Sequence, residues 1–590
     1  MISCNVMLVI LATCNVGYAG VLQEDPIVET EYGNVRGSIK ESRNGRNFFS
    51  FTGIPYAKPP IGELRFKTPQ KLERWSEILD AQQDAPHCIQ KNYLFANPKI
   101  EGQEDCLYLN VFTPQIRTKR NVENTGLMPV MVFIHWGGYV VGYSSTGYLG
   151  PEYFMDKNII LVTFNYRLGV MGFLSTNDDE APGNYGLKDQ VAVLKWVKEN
   201  IKYFGGNPDQ VTIFGQSAGG ASVHYHMLSP LTKNLFHKGI SQSGSALSLW
   251  CKPLGAEQLI VTKMQAQIVN CNSNSTTREM VDCLRKIDAA DLVESMKTFK
   301  FFSIDPINVY MPSIEKLTKM NPDPFITKTP QEYIRNREYK NIPWVLGLVN
   351  NEGLIRAEAL LRQSSTRKSL NANFDGLMPF LMALQLSVPK KELLITWEKI
   401  KGFYFRGKSH IDISNPESVK SLIDLYTDRS FAYSMYQSAL YHKYHGHDKI
   451  WFYNFNYKGE NSYGDAFAAT NETLNYSWGV SHCDELIYLF KSPALFSNEL
   501  NTNDKQCSED LITMWTNFAS NGTPNENWSE MNNFENNTSK NIKYLSIEGL
   551  HEGLGPEYSM TSGLHKSRFK FWEHMALVEN LKELNETIRF

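Results

Sequence analysis

Three residue types far apart in this 590-residue chain could together perform nucleophilic chemistry: a serine, a carboxylate and a histidine. Ser217 lies in Gly215-Gln216-Ser217-Ala218-Gly219, directly after the apolar run Val211-Thr212-Ile213-Phe214. Small residues follow (Gly220, Ala221, Ser222), and then Val223 to Leu228 at helical spacing. A strand that ends in Gly-x-Ser-x-Gly and turns at once into a helix holds its serine on a strained corner. The hydroxyl is then exposed at the top of a sheet, with a helix N-terminus behind it. The two glycines are needed because a side chain at either position would clash where strand and helix pack closely.

A serine hydroxyl is a poor nucleophile at neutral pH. It needs a base within hydrogen-bond reach and a carboxylate to orient that base. On such a sheet the expected chain order is serine, acid, histidine. Downstream, Val345 to Val349 reads as a strand running into Asn350-Asn351-Glu352-Gly353, so Glu352 sits where a strand hands over to a loop. His482 lies in Gly479-Val480-Ser481-His482-Cys483-Asp484-Glu485, a loop ahead of the helix-like run Leu486 to Phe490. A developing oxyanion needs backbone N–H donors. Ala218 supplies one, and Gly137 and Gly138, in His135-Trp136-Gly137-Gly138-Tyr139 after the strand-like run Val130 to Ile134, supply the others.

Each assignment has a bland competitor. Glu352 taken alone is a solvated turn carboxylate. His442, His445 and His447 could be metal ligands, but no cysteine or carboxylate pattern accompanies them, so they read as a solvated basic face and no metal is assigned. His224 and His226, on the helix behind the serine, read as satisfied structural histidines.

These residues require a sheet. Strand-like runs recur at Val130–Ile134, Ile159–Phe164, Val211–Phe214, Val345–Val349 and Ile450–Phe455, nearly continuous in apolar character. Such strands, separated by helical segments, fit a sheet covered on both faces. Asp189 to Tyr203 has helix spacing, with Val191, Leu194, Val197 and Ile201 on one face. The expected class is α/β: one large domain with a central, mostly parallel twisted sheet and the site beyond its carboxyl ends. Two polar stretches, Gln115–Gly126 and Gln363–Asp375, read as surface loops.

Bulk properties exclude some partners. Net charge is −3 and no charge run stands out, so nothing points to nucleic acid or an anionic membrane surface. Residues 1–19 read as a secretory signal, with an apolar core from Val6 to Ala12 and small residues at Gly17-Tyr18-Ala19, although no Lys or Arg precedes that core. Residues 20–590 then form the mature chain. No later run approaches the ~18 apolar residues of a membrane span. Asn-x-Ser/Thr acceptors at Asn274, Asn471, Asn475, Asn527, Asn536 and Asn585 agree with export. Cys4 and Cys14 leave with the signal, and seven of nine cysteines remain. Cys88 with Cys106 and Cys271 with Cys283 would each close a short loop, contributing about 3 kcal/mol in the chain-entropy model. Cys251, Cys483 and Cys507 stay unassigned, and Cys483 reads as a buried thiol.

With these residues in view, the chain resembles the carboxylesterase/cholinesterase family of α/β-hydrolases over nearly its whole mature length. Further residues carry the resemblance: Gly53-Ile54-Pro55-Tyr56-Ala57 with Leu64-Arg65-Phe66; Glu104-Asp105-Cys106-Leu107-Tyr108-Leu109-Asn110; Asn165-Tyr166-Arg167-Leu168-Gly169; Gly183-Asn184-Tyr185-Gly186-Leu187-Lys188-Asp189-Gln190; Phe204-Gly205-Gly206-Asn207-Pro208; and Gln242-Ser243-Gly244-Ser245. The resemblance implies Ser217 as nucleophile, Glu352 as acid, His482 as base, Gly137, Gly138 and Ala218 as oxyanion donors, the same two disulfides and no cofactor.

Two departures bear on substrate. Gln216 stands where most of the family has Glu, and there it resembles insect juvenile hormone esterases and related insect carboxylesterases. Trp136 stands where a first glycine is usual, and it could line the pocket. The Cys88–Cys106 loop lacks the Trp that resembles a choline platform, with Tyr93 or Phe95 as partial substitutes, which argues against a quaternary ammonium substrate. The expected function is a secreted serine carboxylesterase acting on an uncharged, apolar small-molecule ester. The competing reading is a catalytically inactive, cholinesterase-like binding or adhesion protein. An interfacial lipase is a weaker third, since no lid-like amphipathic segment stands out.

Overall fold

A computed structural model of the chain describes residues 25–116, 126–467, 478–497, 499–531, 542–549 and 555–581. The apolar runs fold as strands of one sheet, which has eleven strands among the described residues. In chain order they are β1 (Ser38–Glu41), β2 (Asn47–Pro55), β3 (Tyr108–Thr113), β4 (Met128–Ile134), β5 (Ile160–Phe164), β6 (Gly206–Gln216), β7 (Lys238–Gln242), β8 (Trp344–Val349), β9 (Ile450–Asn456), β10 (Lys543–Gly549) and β11 (Pro556–Ser562). Across the sheet the order is β11-β10-β9-β8-β7-β6-β4-β5-β3-β2-β1. The run from β10 to β5 is parallel. Antiparallel strands close both edges.

Every residue of β5, β7 and β8 is buried. Because successive side chains point to opposite faces, this means that both faces of the sheet are covered. The expected architecture, a mostly parallel sheet packed by helices, is the one observed.

The topology itself selects the site. β4 lies between β5 and β6, so the chain leaves β4 to one side and returns on the other. A crevice opens beyond the carboxyl ends at such a switch point. Register aligns those ends: Gly215 pairs with Ile134, Gln216 with Gln242, and Gln242 with Gly347. The loops after β4, β6 and β8 therefore leave the sheet at one level.

Five helices matter below: α1 (Tyr185–Asn200), α2 (Ala218–Leu228), α3 (Leu354–Arg362), α4 (Ser364–Ala372) and α5 (Tyr433–Tyr444). Helix α2 packs directly on β6 and β7. A Cβ on Gly219 would lie 1.9 Å from the carbonyl oxygen of Ile134, which is why the second glycine of the serine motif admits no side chain.

Within Gln363–Asp375, which the sequence suggests is a surface loop, residues 364–372 instead form helix α4. Only Leu370 of α4 is buried. A helix with one apolar anchor shows no amphipathic period, so its composition alone looks like a loop. Most of the Gln115–Gly126 stretch lies outside the described residues, as do residues 1–24 and Asn471, Asn475, Asn536 and Asn585. Asn274 and Asn527 are exposed. Cys88 is bonded to Cys106 and Cys271 to Cys283, while Cys251, Cys483 and Cys507 are buried free thiols. Among the described residues no helix is long and apolar enough to cross a membrane.

Candidate active site

Short-range packing builds the serine corner. Ser217 joins β6 to α2 with φ +56° and ψ −118°. An L-residue keeps such a conformation only where its surroundings impose it. Here the Ser217 N–H donates to the Gln242 carbonyl at 2.7 Å, and its own carbonyl accepts the Ala221 N–H at 2.9 Å. The side chain lines a cavity of about 320 Å³, shared with His482, Gly137 and Gly138.

Gly137 and Gly138 follow β4 with φ of +107° and +61°. A Cβ on Gly137 would meet the Val141 carbonyl oxygen at 2.0 Å, so this turn needs glycine. The turn is braced from below. Arg167 and Asp189 of α1 form a buried two-point ion pair at 2.7 and 2.8 Å, which fixes the segment ending at Gly169. The Gly169 N–H then donates to the Tyr139 carbonyl at 2.7 Å. The N–H groups of Gly137, Gly138 and Ala218 have no hydrogen-bond acceptor among the described residues. Unsatisfied backbone donors around one point are what an oxyanion would bind.

Glu352 and His482 meet although 130 residues separate them. One Glu352 oxygen accepts the Val349 N–H at 3.0 Å, and the other lies 2.5 Å from His482 Nδ1. Both side chains are fully buried. The two loops are stitched together: the Asn351 N–H donates to the Val480 carbonyl at 3.1 Å, and the Val480 N–H donates to the Asn351 side chain at 3.0 Å. Glu352 fixes the tautomer, since a carboxylate at Nδ1 takes that proton and leaves Nε2 free to accept one. The Ser217 hydroxyl and the His482 ring line the same cavity without a hydrogen bond between them.

Two positioning residues carry no sequence motif. Asp484 accepts the N–H groups of Ser481 and Tyr463, each at 2.7 Å, and so pins the loop that carries His482. Phe431 packs against the His482 ring with centroids 4.4 Å apart. The Asp484–Tyr463 and Phe431–His482 contacts join separate segments of the chain, and no spacing rule reports them.

The rest of the cavity wall is mainly apolar: Leu94, Trp136, Leu249, Trp250, Ile307 and Phe380 among others. Trp136 lines it, as the sequence suggested it could. Tyr93 and Phe95 do not line it: Tyr93 lies under Lys91 and Lys300, and Phe95 packs on Trp136 at 6.0 Å. Among the described residues the wall carries one carboxylate, Asp305, which is paired with Arg356, and the other arginine there, Arg429, is paired with Glu579. The described wall therefore presents no unpaired acid to a cation.

The histidines of the second half correct another expectation. His442 and His447 do not form a solvated face; both are buried against Trp344 and Tyr339, His447 stacked on the two rings and His442 edge-on to them, while His445 is half-buried. His442 and His447 complete a chain with His224. The Ala246 N–H donates to His224 Nδ1 at 3.2 Å, and His224 Nε2 lies 2.9 Å from His442 Nε2. His442 Nδ1 lies 3.2 Å from His447 Nδ1, and His447 Nε2 donates to the Ile342 carbonyl at 2.7 Å. With each ring neutral, the bonds assign one proton per histidine: Nε2 on His224, Nδ1 on His442 and Nε2 on His447. His226, bonded to Gln190 at 2.8 Å, is structural as read.

Burial pushes His224 down to about 3 and His447 to about 4, and holds His442 well below its ordinary value. A histidine depressed in the folded state gives stability that is complete above about pH 6.5 and lost as pH falls toward the folded value. Buried Glu358, Asp428 and Asp484, pushed up to about 7, 6 and 8 by burial, titrate with the opposite sign, so the bare acid melt mixes both. The difference between variants isolates the histidine. His447→Gln should be less stable than wild type at neutral pH. That gap should narrow by about 1.4 kcal/mol per pH unit from about pH 6.5 toward about 4, measured by urea unfolding. A gap independent of pH would show that His447 is not held neutral.

Comparison with known proteins follows the same lines. The family model described as "Carboxylesterase family" matches residues 24–572. The chain is 49% identical over 566 residues to "Juvenile hormone esterase" of Tribolium castaneum, covering 95% of each. It is 35% identical to "Venom carboxylesterase-6" of Apis mellifera, covering 86% of this chain and 88% of that one. The crystal structure of juvenile hormone esterase from Manduca sexta with OTFP covalently attached superposes with a TM-score of 0.79 at 26% identity, covering 93% of this chain and 99% of that one. The chain belongs to the carboxylesterase family and is a carboxylic-ester hydrolase.

Proposed function

We propose that this protein is a secreted serine carboxylesterase that cleaves uncharged, apolar esters through an acyl-enzyme, in the manner of a juvenile hormone esterase. Residues 1–19 are its leader, and residues 20–590 form one catalytic domain carrying N-linked glycans. The exposure of Asn274 and Asn527 supports that last point.

Ser217 attacks the ester carbonyl while His482 Nε2 takes the hydroxyl proton, and Glu352 stabilises the imidazolium that forms. The carbonyl oxygen becomes an oxyanion held by the N–H groups of Gly137, Gly138 and Ala218. As the tetrahedral species collapses, His482 returns its proton to the departing alcohol. Water, deprotonated by the same nitrogen, then releases the acid and regenerates the serine.

The observation that carries the reading is the Glu352–His482 hydrogen bond, 2.5 Å long and fully buried, in the wall of the cavity that also contains Ser217 and unsatisfied glycine donors. The apolar wall, with its acid already paired, supports an uncharged substrate. The 49% identity to a juvenile hormone esterase supports that ester class.

Incubation with an organophosphate should leave one phosphoryl adduct, on the peptide containing Ser217, with loss of activity in proportion to labelling. Mass spectrometry reads both the site and the stoichiometry. A folded protein that takes no label would be the binding module instead. A panel of purified protein against juvenile hormone, naphthyl esters, acylcholines and a triglyceride emulsion should rank the first two above the others.

A further inference from the structure

The residue before the nucleophile and the residue after the base touch each other, and nothing in the reaction above uses either. Cys483 Sγ lies 3.0 Å from Gln216 Oε1. Gln216 Nε2 lies 3.3 Å from His482 Nε2 and 3.5 Å from His482 Nδ1. An atom almost equidistant from both ring nitrogens cannot lie along the in-plane direction of either. It sits against the face of the imidazole, so this contact leaves Nε2 free for the serine and Nδ1 for Glu352.

We propose that Gln216 and Cys483 act as a positioning pair: the thiol holds the carboxamide by its oxygen, so that the amide nitrogen, and not the oxygen, faces the His482 ring. The pair rests on the reading of His482 as the base. A carboxamide has two ends of opposite polarity and similar shape, and only its partners decide which way it points. Here the deciding partner is the thiol. Burial, then the neighbouring carboxylates of Glu485 and Glu352, hold it well above the ordinary thiol range, so it stays a donor throughout the working range. The S–H is a donor and the sulfur a weak acceptor, so this end favours the carbonyl oxygen over the NH₂. Gln216 and Cys483 are themselves fully buried.

The chemical consequence concerns the charge that His482 acquires during turnover. Reversing the amide would place a partial negative oxygen on the ring face, and replacing it by a carboxylate would place a full charge there. Either change favours the imidazolium, and an imidazolium cannot accept the serine proton. The other ionisable groups around the pair are Glu352, bonded to the ring, and Asp484 and Glu485 on the base's own loop. Glu485 receives a Gln242 N–H at 3.4 Å. Tyr453 and Tyr463 approach from neighbouring segments, and the cavity arginines Arg356 and Arg429 are already paired.

The test uses the full-length secreted chain and the pH dependence of kcat and KM for a neutral naphthyl ester. Gln216→Glu should move the acid limb of kcat/KM upward by about one pH unit or more, since an opposite charge within about 4–6 Å favours a protonated histidine. Cys483→Ala should move it in the same direction by less. It should also lower kcat by roughly 3- to 10-fold with KM within about twofold, a loss on the scale of one hydrogen bond of ~1 kcal/mol. Cys483→Ser keeps a donor and should return the profile toward wild type. Thermal melts confirm that each variant is folded, and Gln216→Glu stands alone if Cys483→Ala is not. The proposal is overturned if the acid limb is unmoved in Gln216→Glu, or if Cys483→Ser behaves as Cys483→Ala, which would make the thiol a filler of space. Ser217→Ala, run alongside, separates the two levels. An inactive Ser217→Ala with unmoved profiles removes only the pair, whereas an active one removes the serine that His482 is read as deprotonating, and the proposed function with it.

Discussion

Ser217→Ala should lower kcat/KM for a neutral ester by about four to six orders of magnitude, the loss seen when a serine nucleophile is deleted from a preorganised site. The strained φ of +56° is imposed by neighbours on both sides, the Gln242 carbonyl and the Ala221 N–H, and both contacts are main-chain. Alanine can occupy that conformation as well as serine can, so the corner should persist and the thermal midpoint should shift by no more than a surface substitution would produce. What disappears is the oxygen that attacks. The glycine N–H donors and the apolar wall remain, so the variant should still bind an uncharged ester analogue with nearly wild-type affinity, and a residual rate above water is expected from those donors. Steady-state kinetics, a melt and a binding titration measure the three quantities. Near-normal turnover in Ser217→Ala would remove the serine from the chemistry, however well formed its corner is.

Why the serine was legible and other parts were not is a matter of contact range. The elbow is largely a local event: glycine, serine and glycine occupy one turn, and a Cβ on Gly215 would come within 2.6 Å of the Gly219 backbone four residues on. The strands were legible for a related reason. A strand buried on both faces must be apolar at every position, and Trp344–Val349 is. Glu352 and His482 were legible only as loop residues in the right chain order. Their meeting is fixed by the exchange between Asn351 and Val480, which no period or motif encodes. The buried histidines fail the other way. His442 and His447 sit in a polar stretch, His442-Lys443-Tyr444-His445-Gly446-His447, that looks solvated until α5 is laid against Trp344. The cavity wall was opaque for the same reason. Ile307, Phe380 and Phe431 come from segments with no motif, brought together by the insertions that follow β7 and β8.

Glu352→Gln tests the other half of the site, and its expected cost is about 10⁴ in kcat. The substitution keeps the volume and changes one atom from an acceptor to a donor pair. In the native arrangement one carboxylate oxygen takes the Val349 N–H at 3.0 Å and the other takes the His482 Nδ1 proton. A glutamine must keep an oxygen toward Val349, because a backbone N–H cannot accept, and that choice turns its NH₂ toward the imidazole. A donor facing Nδ1 forces the ring to carry its proton on Nε2, the nitrogen that has to receive the serine proton. The base is then present, correctly placed and in the wrong tautomer. The imidazolium formed at the transition state also loses its counter-charge in a buried site, where charge is poorly screened. Since the binding wall is untouched, KM should change little while kcat collapses, and organophosphate labelling of Ser217 should slow in parallel. Glu352→Asp, which keeps the charge on a shorter arm, should recover part of the rate. If Glu352→Gln turned over at the wild-type rate, the buried carboxylate would be a brace for the loop after β8 and the acid of the reaction would have to lie elsewhere.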